Sequence, residues 1–149
     1  MAAGDVTTFN TSRNWLMDGT LTLGSDTVKL ALVTSGTTPT ASTATPALGD
    51  FTEVATGGNY SAGGTTTSNS WIDSSGTSTF SLVQNVSWAS ATGNPATARW
   101  GILYSDNVTA TGSIPADAAM AFVDLGATID MTAGALTVNS GTIFTLTAT

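Results

Sequence analysis

The chain has 149 residues with three Lys+Arg against ten Asp+Glu, no His and no Cys, for a formal net charge of -7 and a pI near 4.1. Without imidazole or thiol there is no Ser-His-Asp triad, no Cys nucleophile, no zinc finger and no His-bound transition metal. Arg13, Lys29 and Arg99 are too few cations for a phosphate-binding face, and the negative balance repels an anionic bilayer, so neither nucleic acid nor membrane is expected as a partner.

The chain opens on a small, flexible stretch, 1–4, followed by Val6, Thr7, Thr8 and Phe9, which read as an extended arm covering residues 1–10. It has neither the basic nor the apolar region of a secretory signal, so synthesis in a cytoplasm is expected. A short helix is predicted over Thr11–Asp18: Thr11 or Ser12 can cap the free amides, Trp15 and Leu16 face inward, and Gly19 ends the turn.

Beyond Gly19 the pattern has period two or none. Thr20–Leu23, a Gly24-Ser25-Asp26 turn and Thr27–Thr34 predict a hairpin, with Val28, Leu30 and Leu32 alternating against Lys29, Ala31 and Val33. Residues 35–49 form a long Thr/Pro loop without periodicity, and loops of this length inside a domain are usually functional or mobile. Phe51–Val54 reads as a short strand, and the glycines of Gly57–Gly64 around Tyr60 predict tight turns or a bulge where backbones approach closely.

Thr65–Ile72 and Thr77–Trp88 carry further strands across an Asp73-Ser74-Ser75-Gly76 turn. Ala96–Tyr104 is the clearest strand, with Ala98, Trp100, Ile102 and Tyr104 on one face and Arg99, Gly101 and Leu103 on the other. Ala119–Leu125, Ala135–Asn139 and Thr142–Ala148 complete a set of about nine strands. With 30 Thr, 16 Ser and 16 Gly beside 41% apolar residues, this predicts an all-β fold, an antiparallel, jelly-roll-like β-sandwich over 11–149 as a single domain.

The acids are the only titratable resource of any size. Asp50 with Glu53 and Asp124 with Asp130 are the pairs a glycosidase would need, but neither comes with sugar-lining aromatic and basic residues, and a scattered solubilising surface is the plainer reading. Asp73, Asp106 and Asn107 are oxygen donors in loops without the spacing of a calcium loop. No catalytic residue, cofactor or metal is expected. Arg99, beside Trp100, is placed to pair with Asp124 or Asp106 and to stack on a ring. Of the four Trp, Trp88 and Trp100 read as core, whereas Trp71 or Trp15, if exposed, would offer a carbohydrate platform.

The segments Val28–Ser35, Phe51–Val54, Gly58–Gly64, Val86–Trp88, Ala98–Asp106, Val123–Gly126 and Thr132–Val138, in this order, resemble small virion proteins of tailed bacteriophages. Asn59 stands between Gly58 and Tyr60 where the resemblance expects Gly-Tyr directly. The likeness implies a structural protein of the particle, most like a head decoration (cement) protein that binds the outer surface of the capsid and stabilises its lattice. A tail-tube or tail-tip component and a carbohydrate-binding adsorption module are the alternatives. The implied partners are the major capsid protein and further copies of the chain, as a homotrimer, after synthesis in the host bacterial cytoplasm. The arm residues Val6, Thr7, Thr8, Phe9 and Asn10 and the loop residues Thr37, Thr38 and Pro39 are the expected docking contacts, since extended segments add to exposed sheet edges.

Overall fold

The computed structural model describes residues 4–112 and 114–147. The elements run β1 (Val6–Thr8), α1 (Asn10–Met17), β2 (Val28–Val33), β3 (Thr65–Thr66), β4 (Asn69–Ser74), β5 (Thr77–Leu82), β6 (Val86–Trp88), β7 (Ala98–Ser105), β8 (Ala119–Ile129), β9 (Leu136–Val138) and β10 (Gly141–Thr147). The described residues thus form a mostly β protein with ten strands and one short N-terminal helix. They pair as antiparallel sheets ordered β1-β8-β7-β2-β3, β10-β5-β4 and β6-β9.

The helix begins one residue earlier than the sequence predicts, at Asn10, with Phe9 at the N-cap and no side-chain cap. Tertiary contacts stand in for the missing cap: Phe9 is fully buried, and the Ser12 hydroxyl donates to the Met120 carbonyl at 3.0 Å. Trp15 is buried as expected.

Thr20–Leu23 forms no strand. Leu21 and Leu23 are buried without ladder partners, and the Asp26 carboxylate closes the turn by accepting the Thr22 N–H. The β4–β5 hairpin has a two-residue loop, Ser75-Gly76, with φ of 51° and 77°. Both residues in the left-handed region make the type I′ turn whose twist matches the flanking strands.

The five-stranded sheet is buried on both faces. Val28, Leu30, Leu32, Leu103, Ala121 and Val123 join Phe80 and Leu82 of β5, Val86 and Trp88 of β6, Leu136 and Val138 of β9 and Ile143 of β10 in one cluster. All three sheets therefore share that core. On the opposite face Ala31, Val33, Trp100, Ile102, Tyr104, Ala119 and Phe122 pack with Phe9 and Phe51. The rings of Phe9 and Phe122 lie 5.1 Å apart and tilted, and Trp100 meets Phe122 edge-on at 6.1 Å, the T-shaped arrangement that aromatic quadrupoles favour.

Ala98 departs from the face expected for it. The β7–β8 register shifts between Ala98 and Trp100, and this irregularity turns Ala98 into the first cluster while Trp100, Ile102 and Tyr104 keep the other face.

Candidate functional site

The two segments that the sequence marks for docking meet in the structure. β1 pairs antiparallel with β8, Val6 opposite Val123, Thr7 opposite Phe122 and Thr8 opposite Ala121. The Asn10 N–H then donates to the Ala41 carbonyl at 2.8 Å, which fastens the start of the helix to the long loop.

Val6, Thr7 and Thr8 are half-buried on the sheet edge, Asn10 is exposed, and Phe9 is a core residue whose ring is closed to any partner. In the loop, Thr37 and Thr38 are exposed but Pro39 is buried. Of the eight docking residues expected, the side chains of Asn10, Thr37 and Thr38 are the ones freely presented. Residues 1–3 of the arm lie outside the described residues. Residues 4–10 are stitched into the five-stranded sheet, Gly4 by donating its N–H to the Asp124 carbonyl and Phe9 by donating to that of Met120.

The loop itself is a cover. It leaves β2 at Thr34, whose N–H donates to the Thr52 carbonyl, and returns at Val54, whose N–H donates to that of Leu32. Between these ends the Ala119 N–H donates to the Pro46 carbonyl at 2.8 Å and the Leu48 N–H to that of Asp117 at 3.1 Å. A 3-10 turn, Leu48–Asp50, then places Leu48 and Phe51 on the second core cluster. Sequence periodicity misses this role because the apolar residues that seal the sheet are few and irregularly spaced. Pro39, Pro46 and Phe51 are the signals that remain, since apolar residues in an otherwise hydroxylated stretch need a surface to bury against.

The glycine-rich segment packs along β2 at Leu30 and Leu32. The Tyr60 hydroxyl donates to Glu53 Oε1 at 2.6 Å and accepts the Leu32 N–H at 2.9 Å, while the Gly63 N–H reaches the same Glu53 oxygen at 2.6 Å. The Tyr104 hydroxyl donates to the Gly63 carbonyl at 2.8 Å. Burial, and then the hydrogen bond to Glu53 and the charge of its carboxylate, push the Tyr60 phenol well above its ordinary value, and burial does the same to Tyr104. A Cβ on Gly64 would lie 2.0 Å from the Leu30 carbonyl oxygen, and its φ is +72°, so only glycine fits there. At the segment's start, Gly57 and Tyr60 pair across the turn carrying Asn59, whose own side chain donates to the Ala89 carbonyl. Asn59 thus anchors this turn to the neighbouring loop.

The acids raised as catalytic pairs have structural partners instead. Asp50 accepts the Ala47 N–H at 2.9 Å, and Glu53 is engaged as above. Asp124 binds Arg99 and accepts the Gly126 N–H at 2.7 Å. The Arg99 hydrogen bond, helped by Gly126, holds the Asp124 carboxyl below the ordinary range despite its burial. The Thr132 hydroxyl and N–H do the same for exposed Asp130. Arg99 also lies 4.0 Å over the Trp100 ring, the stacked pairing that the sequence anticipates.

Of the loop oxygens considered for calcium, Asp73 accepts the Ser78 hydroxyl, Asp106 pairs with Lys29 at 2.8 Å, and Asn107 accepts the Thr27 N–H. Among the described residues no three acids converge on a point that could hold a cation. Trp15, Trp88 and Trp100 are buried; Trp71 is half-buried and tilted against Phe144 at 6.0 Å.

Comparison of the chain with protein-family models, with curated proteins and with solved structures finds no match.

Proposed function

We propose that the chain is a non-enzymatic structural protein of a tailed-bacteriophage particle, a head decoration protein that binds the outer surface of the capsid and cements its lattice. The observation that carries this reading is the junction of the two extended segments. Asn10 and the loop bearing Thr37 and Thr38 sit side by side, tied by the Asn10–Ala41 hydrogen bond, over a sheet packed rigidly on both faces. A binding surface on such a support loses little conformational entropy on docking.

Subunits that bind only the mature shell lower its free energy by mass action, which is what cementing requires. The homotrimer at lattice three-folds and the finer description of the fold as a jelly-roll-like sandwich belong to the same proposal. The latter is supported by the packing of the five-stranded sheet against the three- and two-stranded sheets around one shared core.

A density map of the particle whose genome encodes this chain tests the reading. Density for the fold on the outside of the head is the expected result, and density in the tail alone would replace the head role by a tail one. On isolated heads, the Thr37→Asp/Thr38→Asp double variant should bind at least about tenfold more weakly than the parent chain, because two charges would be buried in a contact that offers them no partner.

A further inference from the structure

Sheet edges are where β proteins meet other chains, and the edges here are not alike. β3 has only two residues, β10 lies against β1, and the β10–β5 register is broken by an irregularity between Thr142 and Phe144. Shortness, cover and bulging are three devices that blunt an edge. β4 has none of them. It is six residues long, pairs with β5 in unbroken register from Asn69↔Leu82 to Ser74↔Thr77, and contains neither Pro nor Lys.

The hairpin geometry fixes which main-chain groups are left over. Ser74 and Thr77 flank a two-residue loop and so form a hydrogen-bonded pair, which directs the N–H and C=O of Ser74, Ile72 and Ser70 toward β5. Those of Asn69, Trp71 and Asp73 point the other way, to the open side. No hydrogen bond from these groups to the main chain beyond the sheet exists among the described residues.

We propose that this edge pairs with the same edge of a second copy of the chain, antiparallel about a two-fold axis at Trp71, to join three strands from each copy into one continuous sheet. Placing Trp71 opposite Trp71 of the second copy is the register that pairs Asn69, Trp71 and Asp73 completely, with about six main-chain hydrogen bonds. It also sets Asn69 opposite Asp73. The Asn69 Nδ2 atom has no hydrogen-bond partner and is closed to solvent within one copy, so rotation of the Asn69 side chain toward the open edge would exchange a costly unpaired buried donor for a partner on the second copy. Asp73 uses one carboxylate oxygen on Ser78 and retains the other as an acceptor at the position where the Asn69 amide would arrive. The same register opposes no like charges. On the outer face it sets Ile72, 59% exposed and one of the few large apolar side chains left in water, against Ser70 of the second copy.

A two-fold contact of this kind is independent of the capsid reading. It cannot itself close a three-fold ring, so it would link copies belonging to neighbouring rings. The test uses the isolated chain and the absence of native cysteine. Ser70 and Ile72 of the two copies would be directly opposed in a non-hydrogen-bonded pair, whose Cα separation of about 4.5 Å lies within disulfide range. An equimolar mixture of Ser70→Cys and Ile72→Cys chains, oxidised and run on a non-reducing gel, should give a covalent dimer at least roughly tenfold in excess of either variant alone, because 70–70 and 72–72 pairs are out of register. Light scattering of the parent chain should give an even number of chains per particle, and Trp71→Pro, which removes an outward N–H, should halve that number. A mass of one or three chains without cross-linking of the mixture would overturn the proposal, as would equal cross-linking of either variant by itself. Either result leaves the capsid test above untouched.

Discussion

The five-stranded and three-stranded sheets are built from the same hydroxyl-rich composition and solve opposite problems. In the first, β2, β7 and the start of β8 are apolar in almost every position, so both faces must be covered. In the second, Phe80, Leu82 and Phe144 turn inward while Thr77, Thr79, Ser81 and Thr145 turn outward, so one face suffices. The lesson concerns the irregular chain. Helix α1 and the β6–β9 pair contribute to the shared core, but the second face of the larger sheet is sealed by Phe9 and the Leu48–Phe51 turn. A polar loop that resembles a linker in sequence is thus a structural wall.

The contrast is broken most severely from inside that wall. Phe122→Ala removes the ring that Phe9 and Trp100 pack against and should cost about 3 to 5 kcal/mol, measured by urea unfolding. Gly64→Ala comes next, at about 2 to 4 kcal/mol, since it combines a left-handed conformation with a clash against the β2 main chain. Should Phe122→Ala unfold with the midpoint of the parent, the second face would not be the tightly packed core described above; the same result for Gly64→Ala would remove the close approach of Gly64 to Leu30.

Tyr60→Phe should cost about 1 to 3 kcal/mol by leaving Glu53 without the phenol and the Leu32 N–H without its acceptor. The raised phenol pKa has a definite sign. The folded state keeps Tyr60 and Tyr104 neutral while the unfolded chain ionises them above about pH 10, so stability is full below that pH and falls as pH rises beyond it. Absorbance titration should show both phenols ionising together with unfolding; smooth ionisation of a folded chain would contradict their placement.

At the acid end the sign reverses. Asp124 is held below its ordinary pKa, so its contribution is present above about pH 4 and is lost as pH falls through the folded value. Asp124→Asn should therefore lower stability at pH 7 by about 1 to 2 kcal/mol and flatten the acid limb of the stability curve. A variant whose acid limb matches that of the parent would separate Arg99 from this role.

What the sequence made legible follows the same divide. Val28–Val33, Asp73–Gly76 and, past the irregularity at Ala98, Trp100–Tyr104 can be read because alternation and turn chemistry are local, and the few cations narrow the partner of Arg99 to Asp124 or Asp106, of which the fold supplies Asp124. Thr20–Leu23 mimics a strand because Leu21 and Leu23 carry strand spacing yet bury singly, without a ladder. Phe9 looked like part of a free arm because nothing local shows that Phe51, 42 residues away, will lie 6.1 Å from it. The covering loop was the least legible element. Its partners on β7 and β8 lie far along the chain, and only the folded sheet brings them within reach.

The smallest expected effect tests the outward face of the three-stranded sheet. Thr79 lies opposite Ile72 and Thr145 in the middle of that sheet and is half-buried by its neighbours. Val has the same branched shape and suits a strand as well as Thr does, so Thr79→Val should change stability by no more than about 0.5 kcal/mol. Its effect should fall on solubility, because the variant enlarges the apolar surface next to Ile72 on the sheet that carries the open β4 edge. Equal stability with a lower solubility limit, measured by urea unfolding and by concentration at first precipitation, would assign the hydroxyls to keeping this face wet. A loss above about 1 kcal/mol would mean that Thr79 belongs to a packed layer, and the contrast between a sheet buried twice and a sheet buried once would then disappear.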